Sequence, residues 1–473
     1  MSSSAKALGI SEIVREILEY LHEDKKALYR SIRVNRCWAE QGMGILWRES
    51  PVFALCSIPR ERVQFLGNFV RRLEFHGDVR RECLQKLTIL RDLTLPFLRA
   101  LQFLNPFWVP SLDNMAESTT THLWEQYFQP GLADFLLNGP CKGVLQLLKG
   151  KCPRLTELSW HYVSDVESRD LVEFLETCEG LEIISYEEEP FSAVVIRHLL
   201  ERKNLPKLAL PVEFESEIVP RLKETLELAV EPYTHIKELE IWIELEPAML
   251  IFPWLKSIDE LEIFPTGPDV RFFGPISRLQ TLRDLDVDFG ENYFEDFDQI
   301  DPQDLSQLKS LKSLQKLRIA GDVSRRNNCH EFCVKPYTFF SSFPDLREFI
   351  LHIPEPINLV ALQVLGRSSP LLEVCRSLQI ATPAEIEAAG PVNFPRLRHL
   401  ELGGFDREDN QNGGAMTMEK GVQRIIQRLR DWAPILEVLE TCAVSSPLDE
   451  AVVAAWHQKL STPKYNQPTA HQR

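Results

Sequence analysis

Four acidic residues stand at a spacing that could hold a calcium ion. Asp284, Asp286, Asp288 and Glu295 fall on the first, third, fifth and twelfth places of a helix–loop–helix calcium loop. Such a loop turns on a glycine at its sixth place, but here that place is Phe289 and Gly290 comes one residue late. The same aspartates alternate with Leu285, Val287 and Phe289, which is the period of a half-buried strand. The strand reading takes precedence, and no calcium is expected.

Other groupings are weaker. Cys329-His330-Glu331-Phe332-Cys333 offers half of a zinc site, but a closed site needs four ligands and no second cysteine pair follows nearby. It reads as a loop insertion with buried cysteines. Glu187-Glu188-Glu189 reads as a solvated turn, and Trp432 and Trp456 as core or cap. Gly403-Gly404 and Gly413-Gly414 flank a polar loop without the lysine and hydroxyl residue of a phosphate cradle. The chain has no metalloprotease helix, nucleophile elbow or kinase signature. It is expected to be non-catalytic, without cofactor or metal.

The elements that would position these residues follow one recurring pattern: apolar, two others, apolar, one other, apolar. It runs through Leu155-Thr-Glu-Leu158-Ser-Trp160, Leu181 to Tyr186, Leu205 to Leu210, Ile236 to Ile241, Ile258 to Ile263, Leu282 to Val287, Leu314 to Ile319, Leu346 to Leu351 and Leu397 to Leu402. Weaker copies sit at Leu73, Leu93, Leu378 and Leu439. From Leu158 the central apolar positions advance by 26, 24, 31, 22 and 24 residues to Leu285, then by 32 and 32 to Phe349. The first steps centre on the leucine-rich-repeat period of roughly 20 to 29, and the longer ones imply insertions. A unit this short cannot bury its apolar face alone, so the units must stack into a solenoid. Cys152-Pro-Arg, Phe343-Pro-Asp and Phe394-Pro-Arg supply turns leading into strands. Residues 96 to 150 fit less well; they are aromatic at Phe103, Phe107, Trp108, Trp124, Tyr127 and Phe128, with a loop expected over Asn114 to Thr121.

Stacked strands set Glu238, Glu240 and Trp242 beside Glu260, Glu262 and Phe264, and these beside Asp284, Asp286 and Asp288. These nine positions carry seven carboxylates and two aromatics, facing outward. Lys316 and Arg318 on the next strand either bound the patch or pair with it. A face of this kind suits a basic segment of a protein target.

The first fifty residues have a different period. Ile13, Ile17, Leu18 and Leu21 form one apolar stripe, with Ser11 at a helix start and Glu16 and Glu19 facing solvent. His22 to Lys26 breaks this helix. A second helical pattern takes in Leu28, Ile32, Val34, Cys37 and Trp38, and a third segment ends in Ile45-Leu46-Trp47-Arg48. Three short helices make a marginal core, so surplus apolar surface is expected to be buried against a partner.

The blocks Ile10-Ser-Glu-Ile13, Ile17-Leu18-Glu-Tyr-Leu21, Val34-Asn-Arg-Cys37-Trp38 and Leu46-Trp47-Arg48 resemble, in order, the F-box. Ser11 stands where proline is usual, and Cys37 directly precedes the tryptophan. The resemblance implies an F-box protein with degenerate C-terminal leucine-rich repeats. Its F-box would bind a Skp-family adaptor on a cullin scaffold, with Ile13, Ile17, Leu18, Leu21, Ile32, Val34, Trp38 and Trp47 divided between the module's core and the adaptor interface. The chain would then be the substrate-recognition subunit of an SCF-type cullin–RING ubiquitin ligase. The alternative is an interaction scaffold outside ubiquitin transfer.

Composition agrees with a folded protein of this class. Hydrophobic residues make up 44% and charged residues 26% of 473. The net charge of −16 and the pI near 5.3 disfavour nucleic acid. The N-terminal residues lack the apolar run of a secretory signal, and the longest apolar stretches, such as Ala248 to Leu255, are too short for a bilayer. Ten cysteines without regular spacing fit a reducing compartment, cytoplasmic or nuclear. The expected architecture is α/β: a three-helix F-box over 8–50, irregular first repeats with an insertion over 51–150, a leucine-rich-repeat-like horseshoe over 151–445, and a C-terminal helix and flexible tail over 446–473.

Overall fold

A computed structural model describes residues 11–76, 93–104, 126–138, 142–161, 167–187, 193–214, 219–227, 233, 235–266, 271–290, 305–321, 342–352, 359–377, 380–381, 386, 394–405, 418–441 and 447–460. The chain divides into two compact units, Met1–Val212 and Glu213–Arg473, a division inside the stretch expected to be solenoid.

The first unit begins with α1 (Ser11–Glu19), α2 (Lys25–Ser31) and α3 (Arg36–Leu46). Asp24 caps α2 by accepting from the Ala27 N–H at 2.9 Å, and Asn35 caps α3 by accepting from the Trp38 N–H at 3.0 Å. The Asn35 cap splits the expected second helix between Val34 and Cys37. It also joins Cys37 and Trp38 to the expected third segment in one helix.

Parallel strands follow in chain order: β1 (Glu49–Pro51), β2 (Arg72–Phe75), β3 (Ala100–Phe103), β4 (Asp134–Asn138), β5 (Glu157–His161), β6 (Ile183–Glu187) and β7 (Lys207–Phe214). Between them run α4 (Val52–Cys56), α5 (Arg60–Gly67), α6 (Lys142–Lys151), α7 (Ser168–Thr177) and α8 (Ala193–Glu201). Leu73, Leu101, Phe135, Leu158, Ile184 and Leu208 stand opposite one another in successive pairs, and all are buried.

The second unit repeats this logic. Its elements are α9 (Val219–Glu227), β8 (Glu238–Ile243), α10 (Leu245–Ile251), β9 (Glu260–Pro265), α11 (Phe273–Ile276), β10 (Asp284–Asp288), a 3-10 turn at Gln307–Ser310, β11 (Lys316–Ala320), β12 (Glu348–His352), α12 (Leu359–Ser368) and β13 (Val374–Ser377). Then come β14 (Ile380–Ala381), β15 (His399–Leu402), β16 (Gly404–Phe405), α13 (Met418–Trp432), β17 (Val438–Thr441) and α14 (Pro447–Leu460). The sheet runs β8-β9-β10-β11-β12-β13-β15-β17, all pairs parallel, while β14 pairs with β16 alone. One buried row passes through Leu239, Leu261, Leu285, Leu317, Phe349, Cys375, Leu400 and Leu439.

Two hydrogen-bond devices fix the register. A turn precedes each of many strands, in which a buried leucine N–H donates to the carbonyl three residues earlier. Examples are Leu155 to Cys152 (3.3 Å), Leu282 to Leu279 (3.0 Å), Leu346 to Phe343 (3.4 Å) and Leu397 to Phe394 (3.3 Å). The next two N–H groups then share one carbonyl of the preceding repeat: Arg283 and Asp284 both donate to Asp259, at 2.8 and 3.0 Å. A one-residue slip would turn the buried row to solvent, so the two devices and the apolar pattern enforce the same register.

One expected strand position moves. Leu93 is buried but lies in a loop, and the strand forms later, at Ala100–Phe103. Pro96 follows Leu95 and has no N–H for the ladder. In place of the copy expected at Leu378, which lies outside the described residues, β13 carries Cys375 in the buried row. The expected helix around Ala451 to Trp456 spans Pro447–Leu460, with Leu448, Val452 and Trp456 buried at four-residue steps. Trp432 is buried as well.

Candidate functional site

The N-terminal module closes on a small core of Val14, Leu18, Leu28 and Ile45, with Leu21, Cys37, Trp38 and Leu46 packed against it. The stripe is therefore centred one residue from the expected one: Val14 is fully buried while Ile13 is 39% exposed. Leu18 belongs to the core. Ile17, Leu21, Ile32, Trp38 and Trp47 are half-buried, and Val34 is 63% exposed. Tyr20 and Tyr29 are also exposed, at 89% and 56%, and sequence periodicity did not select them. The module thus buries few apolar side chains and leaves several large ones in water.

Glu19 is half-buried, not solvated as expected. Its carboxylate accepts from both terminal nitrogens of Arg48, at 3.1 and 2.5 Å. Hydrogen bonding from Arg48 holds the Glu19 carboxyl below the usual carboxylate range. Gly42 lets α3 approach closely, since a Cβ there would overlap Ile32 Cγ2.

The second grouping lies on the outward face of β8, β9 and β10, where burial alternates along each strand. Glu238, Glu260 and Asp284 stand in one row, and Glu240, Glu262 and Asp286 in the next. Trp242 and Phe264 face each other directly, with ring centroids 4.8 Å apart at 56°. The structure thus brings the nine sequence-predicted residues together.

The adjoining strand both bounds and pairs with the patch. Lys316 Nζ is 2.8 Å from Asp284 Oδ2. Arg318 forks, with Nη1 2.7 Å from Asp286 Oδ1 and Nη2 2.8 Å from Asp288 Oδ2. Burial raises the Asp286 pKa to about 6, with Arg318 opposing the rise. Carboxylate charge is thereby offset on the β10 side, next to the aromatic pair and glutamates of β8 and β9.

The calcium spacing resolves as a strand. Asp284, Asp286 and Asp288 belong to β10, Gly290 adopts a positive φ of 65° just beyond it, and its N–H donates to Asp288 Oδ1 at 3.0 Å. Glu295, Cys329, His330 and Cys333 lie outside the described residues. Burial drives the thiols of Cys152 and Cys375 up to about 12, so neither is an activated nucleophile. Among the described residues no helix is long and apolar enough to cross a membrane.

No protein-family model matches the chain, and no curated protein matches it. Solved structures give distant likenesses. The Rad7 and Elc1 complex in yeast matches at TM-score 0.38 and 13% identity, over 95% of this chain and 97% of that chain. A TLR13–ssRNA13 complex matches at TM-score 0.40 and 14% identity, over 73% of this chain and 50% of the other. The ectodomain of the Arabidopsis receptor kinase HAESA matches at TM-score 0.31 and 12% identity, over 55% of this chain and 39% of the other. Likenesses this distant carry no weight for function, and the repeat architecture rests on register and burial.

Proposed function

We propose that the chain is the substrate receptor of an SCF-type cullin–RING ubiquitin ligase, docking a Skp-family adaptor through its first three helices and a protein target through the parallel repeats. One observation carries the reading: a three-helix module with the F-box-like order of blocks holds a four-residue buried core while Ile13, Tyr20, Tyr29 and Val34 stay exposed. Burying such surface on an adaptor is worth about 25 cal/mol per Å² before the cost of association. The repeats supply no bond chemistry in this reading; they raise the effective concentration of target lysines near the conjugating enzyme.

The target is a protein with a Lys/Arg-rich segment, held on Glu238, Glu240, Glu260, Glu262, Asp284, Asp286 and Asp288. Trp242 and Phe264 offer faces for a cationic side chain. Charge complementarity supports the choice: the seven carboxylates stand on three adjacent parallel strands, beside the Trp242–Phe264 pair.

Co-purification with a Skp-family adaptor tests the reading. An Ile13→Asp/Val34→Asp double variant alters exposed residues and spares the core. A complex lost in this still-folded variant is expected. A wild-type chain that binds no adaptor overturns the receptor role and leaves the helices as a cap on an interaction scaffold.

A further inference from the structure

At the C-terminal end of the second unit's sheet, β15 and β17 bring a histidine and two glutamates together. His399 and Glu401 are two residues apart on one strand, so both side chains leave the same face, and burial alternates accordingly. Glu440 stands directly opposite Glu401 in the parallel register. His399 Nε2 is 2.9 Å from Glu440 Oε2, and one ligand atom from each of the three lies within 4.8 Å of the other two. The side chains of His399 and Glu401 are 19% and 16% exposed, while that of Glu440 is 53% exposed.

Two carboxylates facing each other across a strand pair repel, and a cation between them removes the penalty. Arg376 Nε lies 3.5 Å from Glu401 Oε2 on the β13 side. The imidazole distinguishes this pair from the stacked glutamates of β8 and β9, which have no histidine in register. Nitrogen ligation disfavours magnesium and calcium and suits zinc-class ions. Strand pairing fixes all three backbones, so only side-chain rotation is needed to close the ligands on an ion.

We propose that His399, Glu401 and Glu440 form a surface site for a divalent transition-metal ion of the zinc class. Three protein ligands leave one tetrahedral position to water or to a group from a partner. The ion would clamp β17 to β15 and thereby tie down the last strand of the unit.

Cobalt(II) titration of the full-length protein, followed by visible absorption and zinc(II) displacement, tests this. The expected result is one cobalt bound with ligand-field bands but no thiolate charge-transfer band, weakened about tenfold or more in His399→Ala and in Glu440→Gln. Zinc should also raise the melting temperature of wild type and not of either variant. Glu440→Gln keeps the side-chain shape at a largely exposed position, so it decides the matter should His399→Ala fold poorly. Absent binding, thiolate-type spectra alone, or affinity unchanged in Glu440→Gln would overturn the site.

Discussion

Glu19 and Arg48 close the N-terminal module with two hydrogen bonds, joining the last turn of α1 to the residue pair after α3, 29 positions on. Both side chains are about a third exposed, so solvent screens the pair. Replacing either by Gln or Met should cost about 1 kcal/mol or less, and a double-mutant cycle on thermal unfolding should show positive coupling. The Glu19 pKa is lowered on folding, so this stability is present above the ordinary carboxylate range and is lost as pH falls through the folded value. Melts of wild type and Glu19→Gln should therefore converge at low pH.

Gly42→Val should destabilise the module more than removing that ion pair. The added side chain meets Ile32 and, at 3.4 Å from the Cβ, Leu18 Cδ1. Overpacking of this kind costs about 1–3 kcal/mol. Adaptor co-purification should fall with the melting temperature, and pairing the variant with Ile32→Ala should restore part of both.

Asp286 gives the second unit an acid-side signature. Its folded pKa of about 6 lies above the unfolded value, so the folded state binds more protons between the two. Its ionisation therefore removes stability as pH rises from the ordinary carboxylate range through about 6. Asp286→Asn should gain stability relative to wild type over that rise. Parallel denaturant curves with no pH-dependent difference would contradict it. Arg318→Met removes the group that opposes the shift and should push the Asp286 pKa higher, measurable by carboxyl NMR titration.

The buried row should respond quite unlike the outward one. Leu285→Ala and Leu317→Ala remove fully buried side chains and should cost about 2–5 kcal/mol each. Glu260→Gln, on the exposed face one strand away, should stay within about 0.5 kcal/mol. Chemical denaturation of the full chain separates the two classes.

Arg202 is a structural cation within the helical layer. Its guanidinium donates to the carbonyls of Leu175 and Cys178 at the end of α7, and burial lowers its pKa. Arg202→Met should remove the charged donor from two helix-end carbonyls that also accept from the Cys178 and Leu181 N–H groups, and cost about 1–3 kcal/mol, seen as faster amide exchange at Cys178 and Leu181.

The amino-acid order by itself determined the repeating strand. Alternation at Leu239-Glu240-Ile241 and its copies sets which residues are buried, because a strand's side chains alternate faces whatever lies beyond it. From that alternation alone the nine outward residues of β8 to β10 could be placed side by side. Tertiary structure decided what alternation cannot express. It chose Leu101 over Leu93 for the buried row, since Pro96 lacks the N–H that a strand around Leu93 would need to continue. It shifted the first helix's stripe onto Val14, because packing against α3 selects one face from a pattern that also allowed Ile13. It joined Glu19 to Arg48, and His399 to a glutamate 41 residues away. Contacts across such separations depend on where the chain returns in space, which local spacing does not encode.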